Sequence, residues 1–138
     1  MGFLHLLNTN ILSDLIRNPA GSAAQRLAEA GEETVCTSIV VACELRFGAE
    51  KKNSTPLRER VEELLSIIEV FPLDGEADRA YARIRIHLEA RGAPIGPNDL
   101  LIAAHALSLG LTLVTANTTE FARIPDLQVE NWLERTER

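Results

Sequence analysis

The sequence predicts an α/β fold, a parallel sheet with helices on both of its faces. Two observations predict it. Short apolar runs at residues 3–7, 35–37 and 111–115, with a further strand candidate at 69–72, are each separated by stretches whose apolar residues recur at helical spacing. Strands held apart by helices cannot pair as hairpins, and parallel pairing requires such crossovers. Asn8 follows the first apolar run and Asn117 the last strong one, where strand ends would open onto a binding crevice.

Residues 3–7 read as a buried strand entering a helix that carries Ile11, Leu12, Leu15 and Ile16 and stops at Asn18-Pro19. Residues 20–30 form a helix of small residues closed by Gly31, and the second strand follows at 35–37. Ser38 suits the N-cap of a helix that passes Glu44 and Arg46 and breaks near Gly48. Thr55-Pro56 opens another helix, with proline in its first turn. Asp74 caps a long helix with Ala77, Tyr81, Ile84 and Leu88 on one face, ending at Gly92. Its cationic residues Arg79, Arg83 and Arg85 form the wetted side. After a stiff loop at 93–98, Asp99 begins a mostly apolar helix closed by Gly110, and residues 111–115 make the clearest strand.

The chain of 138 residues is read as a single domain, 1–138, with an ordered core over about 3–133. Its 46% hydrophobic and 25% charged residues are ordinary for a globular protein. No stretch reaches the roughly 20 apolar residues of a spanning helix, and the first residues lack a signal peptide's basic and apolar regions, so a cytoplasmic protein is expected. Cys36 and Cys43 are too few for a disulfide framework and read as buried thiols. The net charge of -6 excludes a protein that grips nucleic acid with its whole surface. Arg17, Arg46, Lys51, Lys52, Arg85 and Arg91 could still form a local basic rim.

If the strand ends converge, Asn8, Glu44, Asp99 and Asn117 share one pocket. Clustered carboxylates repel one another unless a cation offsets them, and oxygen donors suit Mg²⁺ or Mn²⁺, metals that serve phosphodiester hydrolysis. Taken singly, these residues have simpler explanations. Glu44 could be a solvated helix acid, Asp99 a helix-start residue favoured by the macrodipole, Asn117 a turn residue and Glu120 a surface acid. Asp14 reads as an exposed acid outside the site, and Phe121 and Trp132 as core anchors. His5, His87 and His105 form no zinc pattern, and no G-x-S-x-G elbow supports a serine nucleophile.

Together, the motifs resemble a known family. Leu7-Asn8-Thr9-Asn10-Ile11-Leu12 is similar to the opening L-D-T-N motif of the VapC-type toxins of the PIN-domain ribonucleases, and Glu44 matches their second acidic position. Ile95-Gly96-Pro97-Asn98-Asp99 with Ile102-Ala103-Ala104-His105-Ala106 resembles the third motif. Leu113-Val114-Thr115-Ala116-Asn117, Glu120-Phe121 and Val129-Glu130-Asn131-Trp132 resemble the closing one. The resemblance covers residues 3–133. It implies a PIN domain, a three-layer α/β/α sandwich with a central parallel sheet, and a Mg²⁺- or Mn²⁺-dependent endoribonuclease that cuts RNA, with tRNA the favoured substrate.

By the same resemblance, the metal positions are Asn8, Glu44 and Asp99. Asn117 and Glu120 close the site through metal-bound water, and Thr9, Asn10 and Thr115 orient the ligands. The implied partners are a VapB-type antitoxin, operator DNA through that antitoxin only, and a second copy of the chain. Asn8 departs from the family's aspartate. An amide keeps the shape and loses the charge, so the resemblance implies an impaired nuclease, disabled by design or by descent. The alternative is a catalytically dead PIN module that binds the antitoxin as co-repressor.

Overall fold

The computed structural model describes residues 2–134. Five short strands pair in parallel throughout: β1 (His5–Leu7), β2 (Val35–Ser38), β3 (Glu69–Phe71), β4 (Thr112–Val114) and β5 (Val129–Glu130). Their order across the sheet is β3-β2-β1-β4-β5. The chain steps outward from β1 to β3 and then crosses back to β4, so β1 and β4 lie side by side where the direction of winding reverses. Such a reversal opens a crevice beyond the strands' carboxyl ends.

The crossovers are α1 (Thr9–Arg17) and α2 (Ser22–Ala30), α3 (Ile39–Lys52) and α4 (Thr55–Ile67), then α5 (Ala77–Ala90) and α6 (Pro97–Leu109), with the short α7 (Thr118–Phe121) before β5. Right-handed crossovers place α1–α4 on one face and α5–α6 on the other, which makes the three-layer α/β/α sandwich. The packing agrees: α1 touches α2, α3 and α4, while α5 lies along α6. With both faces covered, the inner strands are apolar without alternation, and Leu6, Leu7, Val35, Cys36, Leu113 and Val114 are fully buried. Phe121 and Trp132 anchor the core as expected. Arg79, Arg83 and Arg85 face solvent. Among the described residues no helix is long and apolar enough to cross a membrane.

Several expectations are corrected. Helix α3 does not break at Gly48 but runs on to Lys52, because Gly48 keeps helical geometry and the chain turns only at Asn53, in the left-handed region with φ 49°. Asp74 does not cap α5 with its side chain. Gly75, with φ +65°, bends the chain so that the Asp74 carbonyl meets the Ala77 N–H at 3.3 Å and the helix starts at Ala77. Helix α6 begins at Pro97, two residues before Asp99, since proline's fixed φ suits the first turn. Cys43 is exposed on the outer face of α3, and only Cys36 is a buried thiol, pushed up to about 12 chiefly by burial. Asp14 is buried and accepts from Asn18 Nδ2 at 2.6 Å, a local partner that makes burial tolerable.

Candidate active site

Beyond the carboxyl ends of β1 and β4 the chain assembles one polar network. Asn8 follows β1 as the N-cap of α1 and is 3% exposed. Its Oδ1 accepts the Thr9 N–H at 2.8 Å, and its Nδ2 donates to Thr115 Oγ1 at 3.0 Å. The Thr9 N–H fixes which end of the amide is oxygen. Asn10 spans to the end of β4: its Nδ2 reaches Thr115 Oγ1 at 3.3 Å and its Oδ1 accepts the Ala116 N–H at 3.0 Å. The Asn117 N–H also points to Thr115 Oγ1, at 3.1 Å.

Thr115 Oγ1 is therefore approached by three N–H groups, from Asn8, Asn10 and Asn117. A hydroxyl oxygen has two lone pairs and one proton to give. A carboxylate at position 8 would accept that proton and leave two donors for two lone pairs. The pocket around Asn8 thus fits an aspartate better than the amide it holds.

The acidic part of the site comes from three helices. Glu44 projects from α3, where its Oε1 accepts from Thr9 Oγ1 and its Oε2 from Asn98 Nδ2 at 3.2 Å. Asp99 sits in the first turn of α6 and Glu120 in α7. Burial pushes the Asp99 carboxyl up to about 6, helped by hydrogen bonding to Glu120 and by the charges of Glu120 and Glu44. Two carboxylates in such contact share a proton when nothing else offsets their charge.

A hard divalent cation fits this donor set, because it would replace the shared proton and prefers carboxylate oxygen. Among the described residues, however, no three acidic, His or Cys side chains close into a ligand group by themselves. The amide at position 8 lies beside the cluster with Oδ1 committed to Thr9 and Nδ2 to Thr115.

The structure thus brings together Asn8, Thr9, Asn10, Glu44, Asp99, Thr115 and Glu120. Asn117 joins through its backbone only. Its side chain is exposed and caps nothing. Asn98 was missing from the residues expected at the site, although it grips Glu44. Its position beside Asp99, in the same first turn, was the available signal. Of the proposed basic rim, Arg17 and Lys52 line a groove beside Glu44, whereas Arg46 and Arg85 pair with Glu62 and Glu89.

Comparison with known proteins gives the family of the chain. The family model described as "PIN domain" matches residues 6–127. Ribonuclease VapC2 of Rickettsia felis is 37% identical over 131 residues, spanning 94% of this chain and 98% of that protein. The tRNA(fMet)-specific endonuclease VapC of Shigella flexneri is 39% identical over 129 residues, spanning 92% of this chain and 96% of that one. Among solved structures, a chain of VapBC2 from Rickettsia felis bound to a DNA fragment from its promoter superposes with a TM-score of 0.88 at 36% identity, covering 96% of this chain and 99% of that chain. DNA-bound VapBC from Salmonella typhimurium gives 0.85 at 35% identity, covering 94% and 98%.

Proposed function

The chain belongs to the PIN-domain family, and on that premise we propose that it is the endoribonuclease toxin of a toxin–antitoxin pair, dependent on Mg²⁺ or Mn²⁺ and weakened by Asn8. The observation that carries the reading is the gathering of Glu44, Asp99 and residue 8 beyond the strand ends, with Glu44 held by Thr9 Oγ1 next to Asn8 and by Asn98 Nδ2 next to Asp99. Glu44, Asp99 and the oxygen of residue 8 would hold the cation. When bound, the cation supplies an acidified water and offsets charge on the phosphate.

The chain's own residues do the rest. Thr9 and Asn98 hold the two oxygens of Glu44 in fixed directions, and Thr115, gripped by Asn10, sets the orientation of residue 8. Asn8 has no charge to bring to the cation and no basic oxygen, which lowers both affinity and rate.

Transfer RNA is the proposed substrate, supported by a relative named for tRNA(fMet) at 39% identity. A VapB-type antitoxin is the proposed partner, supported by VapBC complexes among the structural neighbours, with operator DNA reached through the antitoxin. A homodimer is supported by Ile39, Cys43 and Phe47, four residues apart and exposed on the outer face of α3. The cytoplasm is the proposed location.

One observation favours a second reading, a catalytically dead antitoxin-binding module: both polar atoms of Asn8 are already engaged. Induced expression separates the two. The toxin reading expects an Asn8→Asp version to arrest growth with cleaved tRNA accumulating, and the present chain to do neither. Continued growth with the folded Asn8→Asp version favours the binding module.

A further inference from the structure

We propose that the groove between α1, α3 and α4 is the seat of the nucleotide next to the scissile phosphate, its base on the bare surface of Gly48 and its phosphate between Arg17 and Lys52. The inference rests on the nuclease reading above and assigns the RNA a path.

Gly48 is the first observation. It lies in the middle of α3, where glycine is the poorest helix former after proline. Glycine's own advantages in a helix are a positive φ or the close approach of another group. Neither is present within the chain, for Gly48 has ordinary helical backbone and an added Cβ would meet nothing within 4 Å. What the missing side chain leaves is open space in a groove of about 170 Å³, walled by Ile16, Leu45, Leu57 and Val61.

The second observation is where the groove leads. Thr9 and Glu44 line it too, so one end opens on the carboxylate cluster. Whatever lies in the groove is adjacent to the reacting bond.

Charge chooses the occupant. Arg17 ends α1, Lys52 ends α3, and both line the groove. Among the described residues neither pairs with a carboxylate, as is also true of Lys51, Arg60, Arg83, Arg91 and Arg123, and what sets Arg17 and Lys52 apart is that both line this groove. In a chain of net charge -6, two unpaired cations beside an acidic centre offer the local attraction a polyanion needs. A second groove continues from Ile16 and Arg17 along α4 to Arg60, also unpaired among the described residues. An apolar slot edged by cations at intervals matches a single RNA strand with its bases splayed from its phosphates.

The test measures the affinity of the present chain for a fluorescein-labelled total tRNA pool over a range of salt concentrations, beside Gly48→Leu, Gly48→Ala, Arg17→Gln, Lys52→Gln and the off-groove control Arg79→Gln. Gly48→Leu is expected to weaken binding at least tenfold with an unchanged salt slope, since it fills the slot and removes no charge. Gly48→Ala serves as the milder variant should leucine disturb folding, and is expected to weaken binding in the same direction while raising the melting temperature. Arg17→Gln and Lys52→Gln are each expected to reduce the slope by about 0.7, the loss of one phosphate contact to a single strand. Unchanged affinity and slope in all four groove variants overturns the groove assignment while the nuclease reading stands. Absence of any salt-dependent tRNA binding by the present chain overturns both. Intact tRNA binding with lost binding to the cognate antitoxin assigns the groove to a protein instead.

Discussion

Thr9 and Glu44 are joined by a hydrogen bond from Oγ1 to Oε1, which ties the first turn of α1 to the middle of α3 across 35 residues of chain. A carboxylate on a helix would otherwise sweep several rotamers. With Asn98 on its other oxygen, Glu44 is pinned from both sides.

Loss of either partner should therefore loosen the proposed cation seat without unfolding the protein. In an Asn8→Asp background, Thr9→Val is expected to lower Mn²⁺ affinity by roughly ten- to a hundredfold, the range for groups that orient metal ligands. Asn98→Ala acts in the same direction and less strongly, its bond being longer at 3.2 Å. Titration calorimetry with Mn²⁺ checks both, and an unchanged affinity for Thr9→Val contradicts the pinning.

Thr115 supports the same site from the end of β4. Removing its hydroxyl leaves the buried Asn8 Nδ2–H without its acceptor and takes the same acceptor from the part-buried N–H groups of Asn10 and Asn117. Thr115→Val should cost about 2 kcal/mol, the penalty of a stranded buried donor, and lower the melting temperature by several degrees. Differential scanning calorimetry reads it directly.

His105 gives the fold a dependence on pH. It is 1% exposed, with Nδ1 2.8 Å from Ser38 Oγ, the side chain that caps α3 through the Val40 N–H. Burial holds its pKa below 6.5, against the opposing effects of the Asp74 charge and the Pro72 carbonyl. The unfolded chain then binds the proton more readily than the folded one. The contribution is complete above pH 6.5 and declines as the pH falls toward the folded-state pKa. From pH 7.5 down to 5 the parent's melting temperature should lose ground to that of His105→Gln, in which this contribution is absent.

Asp99 carries the opposite sign. Its carboxyl is raised from 3.8 to about 6, so the folded chain holds a proton that the unfolded chain has lost, and stability declines as pH rises through that window. Without metal at pH 7.5, Asp99→Asn should raise stability by on the order of 1 kcal/mol once solvent screening is allowed for. Added Mg²⁺ should reverse the order, stabilising the parent and leaving Asp99→Asn unmoved. Thermal melts of the two proteins with and without the ion check it.

The sequence disclosed the parts of the fold that local patterns determine. The strand-to-helix junction at Asn8 shows in the change from a continuous apolar run to helical spacing, and Gly110 closes α6 in the left-handed region with φ 70°, as its place after Leu109 suggests. Strand β5 was not foreseen as a strand, because two residues carry no period and only pairing with Leu113 and Val114 defines them. Gly48 was misread as a helix end, since propensity counts the residue and not the empty groove beside it. Asp14 and Cys43 exchanged their expected surroundings for a similar reason: which face of α1 or α3 is covered depends on neighbouring helices. Asp99 and Glu44 were visible through motif order, but the amide of Asn98 on Glu44 is a contact across 54 residues that spacing does not reveal.

The central claim is a cation-dependent nuclease site weakened by the amide at residue 8, and paired cleavage tests it most directly. The present chain and its Asn8→Asp variant, both checked for folding, are incubated with total tRNA with and without Mg²⁺ or Mn²⁺, and any cuts are mapped. Cleavage by the variant alone, abolished by chelation, is the predicted result. Equal cleavage by both proteins, or by neither in the presence of metal, contradicts it.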